Sequence, residues 1–176
     1  MRKAHIWVMI ASALLLVISV GITVAYLIAS SNTVKNTFTI GFVDIELNET
    51  TREYKIIPGA TVHKDPTVTV KKDSENCWLF VKIEKTGNFD AYCTYQIADG
   101  WLALAGHSGV YYREVPHALE DMPFEVLKDN CVKIGENISE GQLEGITEKP
   151  KLKFTAYAAQ GDSIDTAHIA WQLFGE

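Results

Sequence analysis

The chain has 176 residues, 47% hydrophobic and 22% charged, with 16 Lys and Arg against 22 Asp and Glu and a net charge of −6. That balance argues against nucleic-acid binding, which needs a basic patch to neutralise phosphates, and it offers no attraction to anionic lipid. The charge is unevenly spread: residues Ile6 to Ala29 carry none, Arg2 and Lys3 precede them, and every acidic residue follows.

The first 25 residues, MRKAHIWVMIASALLLVISVGITVA, have a basic start, an apolar run and small residues at the end, the layout of an export signal. Arg2 and Lys3 are expected to stay on the cytoplasmic side. The apolar run also reaches the roughly 20 residues that span a bilayer. Two fates follow. Signal peptidase cuts after Thr23-Val24-Ala25 and leaves Tyr26 as the new N-terminus, or residues 6–29 stay in the membrane as an anchor with the rest outside. Cutting removes two of the 16 basic residues, leaving 14 against 22 acidic ones and a net charge of −8. The remaining roughly 150 residues suit one domain, enough to bury a stable core without staples. The organisation expected is 1–25 signal or anchor, 26–40 an N-terminal segment, and 41–176 the domain.

After Asn36 the hydrophobic period becomes two, the mark of a half-buried strand. Phe38 and Ile40 alternate with Thr37 and Thr39; Val43, Ile45 and Leu47 alternate with Asp44 and Glu46. The apolar phase flips across Gly41-Phe42, and a β-bulge at Gly41 accounts for it most simply. Further strands are expected at Thr67 to Lys71, Cys77 to Lys85, Ala91 to Ala98, Trp101 to Ala105, Val110 to Val115, Phe124 to Leu127, Val132 to Ile134 and Lys151 to Ala159. Turn signals separate most of them: Pro58-Gly59, Lys72-Asp73-Ser74, Asp99-Gly100, Gly106-His107-Ser108-Gly109 and Lys128-Asp129-Asn130. The tail DSIDTAHIAWQLF reads as a helical turn near Asp165 to His168, capped by Asp162 or Ser163, then a strand joining Ile169, Trp171 and Leu173. Many short strands with frequent turns predict an all-β sandwich or jelly roll.

Few residues suggest chemistry. His63, His107, His117 and His168 are scattered, and none forms the two-histidine helical motif of zinc peptidases. His63-Lys64-Asp65 is an H-x-D pair without a visible third ligand. Ser108 lacks the spaced G-x-S-x-G pattern of a nucleophile turn and reads as part of a hairpin. Asn48-Glu49-Thr50 and Asn137-Ile138-Ser139 match the glycosylation pattern, relevant only to a eukaryotic secretory route. Cys77, Cys93 and Cys131 are an odd number without metal spacing and read as mainly buried small apolar residues. The aromatics Trp78, Trp101, Trp171 and Tyr111-Tyr112 read as core. No cofactor fingerprint is present, and the chain is read as a non-enzyme.

Three stretches together resemble the TasA/camelysin family of exported proteins from Gram-positive bacteria. AYLIASSNTVKNTFTIGFVDIEL joins an export signal directly to N-x-F-T-I-G and a strand. IIPGATVHKDPTVTVKKDSENCWLFVKIE carries Pro58, Gly59, Lys64, Asp65 and Pro66 in a P-G-x-x-x-x-K-D-P segment before a strand. LKFTAYAAQGDSIDTAHIAW is similar to an A-Y-A-x-Q…A-W ending. The resemblance implies cleavage near Ala25 by a dedicated signal peptidase and a jelly-roll-like β-sandwich. It also implies a role as a cell-surface or biofilm-matrix structural protein, a fibre subunit or accessory. In fibre-forming members the N-terminal segment of one subunit adds as a strand to the next. Carried onto this chain, the segment is Tyr26 to about Ile40, with Asn36, Thr37, Phe38, Thr39 and Ile40 at its end, and the partner is another copy or a related matrix subunit. Some camelysin relatives are described as metallopeptidases, a role for which this chain shows no ligand triad. The alternative function is a membrane-anchored surface binding domain.

Overall fold

A computed structural model describes residues 37–40, 42–50 and 55–175; for residues 37–40 it describes the backbone. The signal or anchor segment, Ala25, Tyr26, Asn36 and Gly41 lie outside the described residues. Among the described residues there are eleven strands and three short helices. None of those helices is long and apolar enough to cross a membrane.

The architecture follows from β5 (Cys77–Lys85), whose sequence CWLFVKIEK is apolar on both faces. A strand buried on both sides belongs in the middle of a sheet. It lies in the five-stranded order β1-β11-β5-β8-β7, formed with β1 (Thr37–Ile40), β11 (Leu152–Gln160), β8 (Val110–Val115) and β7 (Leu102–Ala103). Every pairing in this sheet is antiparallel except β1 with β11, which is parallel. Gly109 allows a close approach beside β5. It has φ +75°, and a Cβ there would stand 2.5 Å from the Ile83 carbonyl oxygen.

Two three-stranded sheets form the facing layer. One has the order β2-β4-β9, from β2 (Ile45–Asn48), β4 (Thr67–Val70) and β9 (Met122–Glu125). The other has the order β3-β10-β6, from β3 (Thr61–His63), β10 (Leu127–Ile134) and β6 (Cys93–Ile97). β3 runs on into β4 through Lys64-Asp65-Pro66, and β9 into β10 through Val126. Backbone bonds from Lys64 N–H to the Asn130 carbonyl (2.7 Å) and from Val126 N–H to the Pro66 carbonyl (2.9 Å) stitch the two bends together. Alternate residues of β5, Cys77, Leu79, Val81 and Ile83, meet Val68, Val70, Leu127 and Val132 in the core between the layers. On the opposite face, Phe80 joins Tyr157, Ala159 and Trp171 in a second cluster. The all-β, sandwich-like expectation therefore stands.

Several finer expectations change. Thr37–Ile40 pairs with β11, whereas Ile45–Asn48 pairs with β4 in the other layer. The chain thus passes from one layer to the other between these two strands, and the bulge expected at Gly41 lies outside the described residues. Ser74, 2% exposed, anchors the passage: its hydroxyl accepts from Asp44 N–H at 3.1 Å. Conversely, Lys128-Asp129-Asn130 is not a turn between strands. Asp129 (φ 55°) and Asn130 (φ 49°) lie inside β10, where its register with β6 shifts between Leu127 and Val132. Asp and Asn tolerate this left-handed backbone better than other side chains, so the same residues serve a turn or a bulge. The strand expected from Ala91 starts instead at Cys93, after helix α1 (Phe89–Tyr92). The Trp101 to Ala105 strand shrinks to Leu102–Ala103. β3 and helix α2 (Glu140–Glu144) were not expected; α2 starts with a Ser139–Gln142 capping box.

The tail is helical. α3 (Ala167–Gln172) begins at Thr166, whose hydroxyl accepts from Ile169 N–H at 3.3 Å, so the cap is neither Asp162 nor Ser163. No strand follows. Ile169 (49%) and Leu173 (50%) are half-exposed while Trp171 is 1% exposed, a split that strand alternation would not give. Cys77 and Cys93 are buried free thiols and Cys131 is half-buried. Burial pushes the Cys77 thiol up to about 12 and raises that of Cys93.

Candidate functional site

The site is the outer edge of β11. All nine residues of β11 pair on one side with β5, from Leu152↔Lys85 to Gln160↔Cys77. The other side pairs with β1 over four residues only: Thr37↔Ala156, Phe38↔Tyr157, Thr39↔Ala158 and Ile40↔Ala159. Residues Phe154 to Ala159 are all buried, since both faces of β11 are covered by core. Its side chains at the β1 register are small at Ala156, Ala158 and Ala159, which leaves the backbone edge open to close approach by a neighbouring strand. Without β1, those N–H and C=O groups would form an unpaired edge, a template for another chain. Of the expected assembly residues, Thr37, Phe38, Thr39 and Ile40 are β1; Asn36 and the processing residues Ala25 and Tyr26 lie outside the described residues.

The residues of the P-G-x-x-x-x-K-D-P segment bend the second layer, and Lys64 touches β11 from inside. Pro58-Gly59 is a turn, with Gly59 at φ 76° and its N–H bonded to the Gly135 carbonyl at 3.0 Å. Lys64 is 7% exposed, forms an ion pair with Glu49, and places its ammonium 5.3 Å from the centre of the Phe154 ring on β11. Asp65 accepts hydrogen bonds from the N–H (3.0 Å) and the hydroxyl (2.6 Å) of Thr50. Pro66 is fully buried. Glu49 and Thr50 are thus the partners that sequence reasoning missed. Their only visible signal was the glycosylation-like triplet Asn48-Glu49-Thr50, which says nothing about an ion pair.

Partial burial alone would raise the Asp65 carboxyl, but the two bonds from Thr50, a backbone bond at Asp65 itself and the nearby His63 together outweigh it and hold it below the ordinary value of 3.8. A group depressed in the folded state adds stability above its unfolded value, and that stability fades as pH falls below it. Asp65→Asn is therefore expected to lower stability near neutral pH and to flatten the acid limb of the profile. Urea midpoints at about pH 7 and about pH 3 check this, since the gap between variant and wild type should narrow at the lower pH. A gap that stays constant would contradict the assignment.

The histidines are less scattered than the sequence suggested. His107 and His168 lie with ring centres 5.3 Å apart, and His107 also meets Trp171 edge-on at 6.0 Å. His63 Nε2 stands 3.9 Å from Asp65, and His117 Nδ1 3.5 Å from Glu75. Among the described residues no group of three His, Cys, Asp or Glu is placed to hold a metal ion. Ser108 lies in the turn between β7 and β8, closed by the bond from Val110 N–H to the His107 carbonyl. No family model matches this chain, and no solved structure matches it.

Proposed function

We propose that this is an exported structural protein of the cell surface or extracellular matrix, of the TasA/camelysin kind. Its jelly-roll-like sandwich assembles head to tail when the N-terminal strand of one subunit takes the place of β1 on β11 of the next. The observation that carries this reading is the four-residue parallel pairing of β1 with β11. The strand comes from the extreme N-terminal side of the domain and its pairing is short. A second copy can supply the same backbone ladder in the same register, as in β-strand addition. Each exchange replaces one ladder with an identical one, so the swap costs little pairing energy. A head-to-tail contact whose rotation does not close gives an open filament. Cleavage after Ala25 would free the segment from Tyr26 onward to reach a neighbour.

The test uses the chain from Tyr26 onward and its Phe38→Pro/Thr39→Pro variant, compared by electron microscopy and circular dichroism. In a parallel ladder alternate residues of an edge strand bond to the neighbour, so two adjacent prolines remove at least one ladder N–H. The expected result is filaments from the unmodified chain and folded, non-polymerising variant protein. Equal polymerisation of both would overturn the strand-exchange reading. The uncharged run from Ile6 to Ala29 favours the second reading, a retained helix and a membrane-anchored binding domain. Intact mass separates them: a soluble species starting at Tyr26 supports the first, and a membrane-bound species retaining Arg2 supports the second.

A further inference from the structure

A second site lies away from the β1–β11 edge, on β8. In its sequence VYYREV, Tyr111, Arg113 and Val115 share one parity, and Tyr111 and Val115 pack into the core between the layers. Arg113 therefore occupies a position where the pattern calls for an apolar residue. Its guanidinium carbon stands 3.9 Å from the centre of the Phe124 ring and 5.5 Å from that of Trp101. Trp101 is held in turn by its indole N–H, which donates to the Glu125 carbonyl at 2.8 Å. The arginine is thus fixed by aromatic contacts on two sides, a pre-organised cation.

Among the described residues no carboxylate forms an ion pair with Arg113, and its Nε–H is buried without an acceptor. Arg113 is half-buried, and an oxygen anion arriving in the groove would offset the lost hydration of its guanidinium. Arg113 opens into a groove of about 360 Å³, shared with Asp99, Phe124, Glu125, Lys128 and Asp129. The Glu125 carboxylate accepts from Asn130 Nδ2 at 2.8 Å and so stays fixed at the rim. Three carboxylates around two cations repel a simple anion from the mouth while the floor attracts one.

We propose that this groove binds a small zwitterion of the α-amino-acid type, its carboxylate on the Arg113 fork and its ammonium toward the acidic rim. Planar guanidinium and carboxylate match in bidentate geometry. The site is separate from the strand-exchange edge, since β8 and β11 lie on opposite sides of β5.

The test is an NMR titration of the non-polymerising Phe38→Pro/Thr39→Pro form of the chain from Tyr26 onward, reading the Trp101 indole N–H and the Arg113 Nε–H. The probes are glycine, acetate and methylammonium. Glycine is expected to give saturable shifts at both reporters. Acetate, lacking the rim contact of an exposed charge pair, is expected to bind up to about fivefold more weakly. Methylammonium alone should not saturate. Arg113→Met, apolar on an inward face and so suited to folding, should abolish the glycine response. Arg113→Lys should weaken it, because the fork is lost. No saturation with glycine, equal binding of acetate, or a response that survives in Arg113→Met would each overturn the proposal.

Discussion

Replacing Trp171 with alanine is expected to destabilise the domain by about 3–5 kcal/mol, whereas Ile169→Ala and Leu173→Ala should each cost less than about 0.5 kcal/mol. Trp171 is 1% exposed and meets Tyr157 at 5.1 Å, Phe80 at 5.2 Å and Phe174 at 5.7 Å between ring centres. Two of those partners, Phe80 and Tyr157, stand on adjacent strands of the five-stranded sheet, at register Tyr157↔Phe80. The ring therefore seals the outer face of the central pair β5–β11. α3 has six residues, and an isolated helix that short is unstable in water. Its docking rests on Trp171, on Ala167 and Ala170 beside it, and on the bond from Trp78 Nε1–H to the Ile164 carbonyl at 2.9 Å. Urea unfolding followed by circular dichroism measures all three variants. Comparable losses at 169, 171 and 173 would mean that these residues share one buried face, as a strand requires, and the helix would be wrong.

The same tail shows what the sequence could and could not say. Ala167, Ala170, Trp171 and Phe174 recur at helical spacing, and Ile169, Trp171 and Leu173 recur at strand spacing. Both patterns contain Trp171, and only the position of Phe80 and Tyr157 decides between them. β5 and β8 were legible to the residue, and β11 to within one, because long two-residue alternation with β-branched and aromatic side chains has few competing interpretations. The layer change between Thr37–Ile40 and Ile45–Asn48 was not legible. A bulge and a passage between sheets produce the same phase flip, and they differ only in which distant strand receives the hydrogen bonds. The bulge at Asp129 and Asn130 was misread for the mirror-image reason. At the candidate site, β11 was visible as a strand and Thr37 to Ile40 as a strand-forming segment. Their parallel pairing across most of the chain was not, since periodicity carries no information about partners. Arg113 left a trace that could have been used: it breaks the apolar parity of Tyr111 and Val115.

Lys64 carries the second large effect, and it separates stability from assembly. Lys64→Ala is expected to cost about 3–5 kcal/mol, the loss typical when one member of a buried ion pair is removed. Both side chains are well covered, Lys64 at 8% and Glu49 at 14% exposure. The alanine variant deprives the Glu49 carboxylate of its ammonium and withdraws the aliphatic stem and charge from the Phe154 ring. Replacing both partners with apolar residues, Lys64→Met/Glu49→Leu, should return stability to within about 1 kcal/mol of wild type or above it, since the desolvation of two charges disappears as well. A double variant as unstable as Lys64→Ala would show that the ammonium itself holds the bend between β3 and β4. The double variant also bears on the β11 edge. Phe154 lies two residues before Ala156, where the β1 ladder begins. Strand exchange uses backbone groups of Ala156 to Ala159, so a folded double variant should polymerise as the unmodified chain does. Fibre loss in a fully folded double variant would mean that Lys64 shapes the acceptor strand, and the K-D-P residues would then belong to the assembly machinery as well as to the core.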